Sequence, residues 1–322
     1  MRSVSERSQS AVTDHVDATD HRYLTYRLLG FGVFCLLPSA FLWPALRHLF
    51  IFILNNQTYT HIPLIPTVSL YLTYMWRDSI FERIGHAWKT GSALALSGAA
   101  CLTFGRLNPL HLTATNQNSL LICGFVLFWL GAFLLFFGPY SFRAALFPLL
   151  FLFFMIPIPD AALSRVVFFL QEGSSKCAAW MFQAMGVPFF KSGFDFALPG
   201  VTIRVAEECS GIRSTLALII LSVLTGQLFL RSPWSRIVLC LFVVPISIAK
   251  NGFRIAVLST MAVYVNSSFL TGPLHYHGGT LFFILALIPL FLLLRFLQNC
   301  EGKPPAALTP TRPGWWPTVT KT

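Results

Sequence analysis

Three residue types in this chain could together do acyl-transfer chemistry: Cys209, Arg254 and His275. A cysteine thiolate attacks a carbonyl, a guanidinium stabilises the oxyanion that forms, and an imidazole moves the protons. Cys209 stands in Cys209-Ser210-Gly211-Ile212-Arg213-Ser214, where a helix is expected to begin with Ser210 as its N-cap. A helix N-terminus and nearby cations lower a thiol pKa, and Arg213, four residues on, is expected to share the Cys209 face. Glu207 and Glu208 oppose thiolate formation, and the sequence leaves that balance open. His277 competes with His275 on composition alone. Lys250 and Asn251 precede Arg254 on the same segment, and Lys250 reads as a structural cation facing Asn251 or a cavity.

The ordinary reading of each residue is plainer. A cysteine at a membrane boundary is usually a small apolar residue, and a histidine beside Gly and Pro is usually a turn or interface residue. Arg254 is different, because an arginine within an apolar span is costly and tends to be functional or paired.

The elements that must position these groups are membrane helices. Of 322 residues, 55% are hydrophobic and 11% charged, against about 25% charged in an ordinary soluble domain. So little charge cannot cover a water-facing surface. The net charge of +11 is spread between apolar runs, the pattern of basic loops that orient a membrane protein, and nothing resembles a nucleic-acid groove. The seven cysteines are scattered, and no Cys/His cluster suggests a metal or other cofactor.

Apolar spans are predicted near 28–46, 62–76, 91–106, 119–137, 143–157, 212–230, 237–260 and 279–295. The fold class is therefore an all-α polytopic membrane protein of about eight transmembrane helices. Residues 161–186 read as an amphipathic helix in the interface, with a further crossing as the alternative. Alternation on either side of Pro199-Gly200 predicts a small β-hairpin just before Cys209. Residues 1–26 lack a secretory signal and read as a disordered tail; 27–298 form the membrane domain, and 299–322 a second tail. Most of the basic residues fall on one side if both termini are cytoplasmic, which puts 158–211 and 264–278 outside. Counted along straight helices from Arg231, Ile237 and Arg295, the three candidates lie about 33, 26 and 30 Å up, and so converge near the outer boundary of the bilayer.

The residues also carry a family resemblance. VAEECSGIRS (205–214), NGFRI (251–255) and the spacing His275, Gly279, Phe283 resemble the exosortase/archaeosortase family of membrane cysteine transpeptidases. YTHIPLIPTVSLYL (59–72), MIPIP (155–159) and GVPFFKSG (186–193) extend the likeness from Tyr59 to Phe283. The resemblance implies Cys209 as nucleophile, Arg254 as the motif arginine and His275, not His277, as the histidine. Ser210, Gly211, Arg213 and Asn251 support them. It implies a bacterial enzyme of the cell inner membrane, because archaeal members tend to carry Arg at the histidine position. The implied partners are secreted proteins with a C-terminal sorting signal of Pro-Glu-Pro type, processed at the outer face, along with membrane lipid. Two departures stand out: Glu208 replaces the Ala that commonly precedes the cysteine, and the chain stops soon after its last span, without the extra C-terminal domain some members carry. The rival classes are a polysaccharide-export or transport protein, which would be expected to show intramembrane carboxylates or broken helices, and an assembly scaffold with a degenerate site.

Overall fold

The computed structural model describes residues 24–36, 47, 51, 56–266 and 273–301, without the side chains of Gln57, Glu208, Cys209 and residues 273–278. Most of the first predicted span, and nearly all of both predicted tails, lie outside the described residues. The chain divides into two compact units, one up to Asp160 and the other from Ala161.

The first unit holds α1 (Leu24–Leu36), α2 (Leu64–Met75), α3 (Arg77–Ile80), α4 (Trp88–Leu107), α5 (Ala114–Ala144) and α6 (Leu146–Phe151). Its core is a close antiparallel pair, α4 against α5. Buried glycines at 91, 98 and 105 repeat every seven residues on α4, and those at 124, 131 and 138 do the same on α5. Gly91, Gly98, Gly124 and Gly131 bring the two backbones so close that a Cβ on Gly98 would lie 2.4 Å from the Phe128 backbone nitrogen, and one on Gly131 2.3 Å from that of Ala95. In lipid, where apolar burial alone does not drive helix association, such small residues let backbones approach and gain dispersion contact. At Gly138 (φ 80°), followed by Pro139, the helical path breaks. Aromatic rings of Phe31, Phe133 and Phe137 fill the space beside the pair.

The second unit carries α7 (Asp160–Ala184), strands β1 (Phe190–Ser192), β2 (Asp195–Leu198) and β3 (Val201–Arg204), then α8 (Ile212–Phe229), α9 (Pro233–Tyr264) and α10 (Pro273–Cys300). The predicted hairpin is present, with Gly200 at φ 75° in the turn. It is one strand larger than expected, because β1 pairs antiparallel with β2 through a second turn at Gly193 (φ 60°). Phe196 of β2 is fully buried against Phe182 of α7 and Phe189.

Helices α8, α9 and α10 pack through Leu218, Leu239, Val243, Ala286 and Leu290. At one end of this bundle Ser232 caps α9 and Pro233 starts it, where its missing N–H costs nothing. There the Glu301 carboxylate accepts the backbone N–H groups of Arg231 (2.8 Å) and Ser232 (3.0 Å), fastening the end of α10 to the α8–α9 link.

Among the described residues four helices are long and apolar enough to span a bilayer: Ala114–Ala144, Ile212–Phe229, Pro233–Tyr264 and Gly279–Cys300. A fifth is reached only if Leu146–Met155 and Asp160–Ala184 count together as one broken span. Among the described residues the eight predicted spans are thus not all seen as crossing helices. The 62–76 run forms a helix of only 12 residues. The 143–157 run splits into a six-residue helix and a 3-10 turn at Leu152–Met155, because prolines at 157 and 159 deny it a continuation.

Candidate functional site

Cys209 lies in a short 3-10 turn, Glu207–Ser210, that leads out of β3 and ends at Gly211. Gly211 takes φ 77°, a left-handed conformation that breaks the chain path before α8 starts at Ile212. Two expectations change as a result. The cap residue of α8 is Gly211, not Ser210, although the buried Ser210 hydroxyl still accepts the Ile212 N–H at 3.4 Å. Arg213 does not share a helical face with Cys209, since the two are not on one helix, and its side chain is exposed.

The turn packs against α9. A Cβ on Gly211 would lie 3.1 Å from Asn251 Oδ1 and 3.4 Å from Lys250 Nζ. The Cys-Ser-Gly and Lys-Asn-Gly-Phe-Arg stretches, about 40 residues apart, are therefore in direct contact. Asn251 is buried and Arg254 half-buried, less than one turn further along α9. The Lys250 ammonium donates to Ser214 Oγ on the first turn of α8. Sequence reasoning named Lys250 but missed this partner, which is 36 residues away.

Helix α7 closes the junction from another side. Gly252 of α9 fits against Cys177 of α7, where a Cβ would lie 2.8 Å from the Cys177 sulfur, and Gly173 of α7 fits against Ile248 of α9. The face of α7 buried here carries Gln171, Ser174 and Ser175 among apolar residues. Gln171 donates its side-chain amide to the Val205 carbonyl, holding the exit of β3 two residues before the Glu207–Ser210 turn begins. The sequence signal for this was a run of polar residues at helical spacing, which suits a buried polar seam as well as a solvated face.

His275 and His277 lie within the first turns of α10, not in a loop, because the helix already begins at Pro273, a residue pre-set for helix entry. Their side chains are outside the described atoms. Phe253 and Phe282 meet edge to face at 6.0 Å, which ties the Arg254 region of α9 to α10 about two turns beyond His275. The backbones of Cys209 and His275 lie at the ends of α8 and α10 away from Glu301, and Arg254 lies ten residues before the last residue of α9. Cysteines 101, 123, 177, 240 and 300 are free. Among the described residues no group of three or more His, Cys, Asp or Glu side chains is placed to hold a metal ion.

Apolar helices of spanning length around a polar junction define a multi-pass helical membrane protein. The family model for transmembrane exosortases matches residues 53–292, three quarters of the chain, and the chain belongs to that family. No curated protein and no solved structure matches it.

Proposed function

We propose that this exosortase is a cysteine transpeptidase that cleaves C-terminal sorting signals of Pro-Glu-Pro type from secreted proteins, at the outer face of the inner membrane. The observation that carries the reading is the contact of Gly211 with Lys250 and Asn251, which seats the cysteine turn beside the helix that bears Arg254.

In this mechanism the Cys209 thiolate adds to the scissile carbonyl carbon, and Arg254 stabilises the oxyanion. The tetrahedral species collapses, the C–N bond breaks, and His275 gives its proton to the departing amine. A thioester joins the substrate to Cys209. His275 then takes a proton from the acceptor nucleophile, which attacks the thioester; the C–S bond breaks and Cys209 leaves as thiolate, restoring the starting state. The signal's own transmembrane helix confines the motif near the site and raises its effective concentration. Strand β3, an edge of the three-stranded sheet, leads directly into the cysteine turn and offers an edge to which an extended motif could add. Deleting residues 190–204 with processing unimpaired would remove that part of the proposal.

The test is co-expression with a tagged substrate bearing such a signal. Cys209→Ala, Arg254→Ala and His275→Ala should each reduce processing by at least about 100-fold, with His277→Ala much milder. Normal processing by Cys209→Ala rejects the nucleophile assignment.

A further inference from the structure

Lys250 is a buried cation, 9% exposed, on a membrane helix, and the chemistry above does not use it. A charge in that setting is expensive and is retained where it has a task. Its surroundings on α9 are polar: Ser247, one turn back, is 2% exposed and Asn251 1%. The hydrogen bonds around it have a direction. Lys250 donates to Ser214 Oγ, Ser214 donates to the Gly211 carbonyl at 2.9 Å, and that carbonyl also accepts the Thr215 N–H at 3.0 Å and the Thr215 hydroxyl at 2.9 Å. With the Ser214 proton committed to Gly211, the pattern is satisfied by an ammonium.

Lys250 and Arg254 stand four residues apart on one helix and repel each other. Lys250 forms no ion pair among the described residues. The Lys250 ammonium, 3.4 Å from where a Cβ on Gly211 would lie, sits beside the turn that carries the cysteine, and nearby cations lower a thiol pKa. Other charged groups flank the turn. Glu172 and Lys176 of α7 pair with each other at 2.7 Å, Arg204 of β3 pairs with Asp195 at 3.8 Å, and Arg213 is exposed. Glu207, on the cysteine turn itself, is exposed, with Glu208 beside it in sequence, and α10 brings His275 and His277.

We propose that Lys250 is a positioning residue for Cys209: through Ser214 and Gly211 it fixes the cysteine turn on α9, and its charge holds the sulfur as thiolate. The proposal rests on the cysteine-transpeptidase reading and gives the cysteine turn a second cation besides Arg254.

The experiment uses the full chain in membrane vesicles. Alkylation of Cys209 by N-ethylmaleimide is followed peptide by peptide by mass spectrometry across a pH series, alongside processing of the tagged substrate. Lys250→Met should move the midpoint of Cys209 alkylation up by about one pH unit and lower processing about tenfold or more. Lys250→Arg should bring the midpoint back toward the wild type. Ser214→Ala should move it in the same direction by a smaller amount. Unmoved midpoints in Lys250→Met and Ser214→Ala overturn the proposal; if Lys250→Met fails to accumulate, Ser214→Ala and Lys250→Arg decide it. Cys209→Ala separates the two readings. Undiminished processing by that variant removes the protease reading, while the alkylation midpoints still judge Lys250. Loss of processing in Cys209→Ala with unmoved midpoints elsewhere leaves the protease and removes the lysine.

Discussion

The two units use glycine in opposite ways. In the first, glycines seven residues apart on α4 and α5 press helix backbone onto helix backbone. In the second, Gly211 meets the ends of two polar side chains, Asn251 and Lys250, and Gly252 meets the Cys177 side chain. A backbone contact cannot yield, whereas a side-chain end can move by a few tenths of an ångström. The first unit is thus built for close apolar packing. The second tolerates a buried polar seam of Gln171, Ser174, Ser175, Ser247, Lys250 and Asn251, which costs stability wherever it is not fully hydrogen-bonded. A buried polar seam of this kind is the sort of cost expected at a functional site.

This contrast can be broken by substitution. The largest effect is expected at Gly131→Leu, where even the first added carbon falls 2.3 Å from backbone. Overpacking there should cost about 3 kcal/mol or more and remove folded protein from the membrane fraction, as read by detergent-extracted yield and melting temperature. A variant that accumulates and melts like the wild type would show that α4 and α5 are not close-packed. Gly211→Ala should cost about 1–2 kcal/mol, chiefly from forcing a Cβ into the left-handed region, because Asn251 can move aside. Its melting temperature should therefore fall less than that of Gly131→Leu while its substrate processing still drops; the reverse order would sink the comparison.

The smallest effect is expected at the far end of the second unit. Partial desolvation pushes the Glu301 pKa up, but hydrogen bonds from Ser235 and from the Arg231 and Ser232 N–H groups, with the Arg236 charge, hold it below its ordinary 4.5. A depressed carboxylate contributes stability that is fully present above the unfolded value and is lost as pH falls through the folded one. The stability of the wild type should thus decline below about pH 4.5, and Glu301→Gln should flatten that decline by at most about 1 kcal/mol. Equal acid sensitivity in both proteins would mean that the clamp contributes nothing.

Much of the second unit was legible from local pattern. Three helices lie close to the spans read at 212–230, 237–260 and 279–295, since long, predominantly apolar runs have one stable form in lipid. The strand turn at Pro199-Gly200 was legible because few residues other than glycine accept φ 75°. The first unit was less so: its apolar runs at 62–76 and 143–157 look like spans by composition, yet they end early. The glycine spacing was visible at 91, 98 and 105, but its meaning depends on a matching row on another helix. At the candidate site, residue types and order were readable, whereas the break at Gly211 was not. That break put Arg213 on a different element from Cys209 and made Gly211 the cap.

What the sequence determined by itself is the class of molecule and its family: hydropathy and short motifs are local properties, and they survive without knowledge of any neighbour. What only the tertiary structure decided is which polar groups meet. Glycine accepts either sign of φ, so its conformation at 211 is chosen by the packing of α8 on α9. A lysine side chain can reach in many directions, so its partner, Ser214, is set by how two helices cross and not by anything written near residue 250.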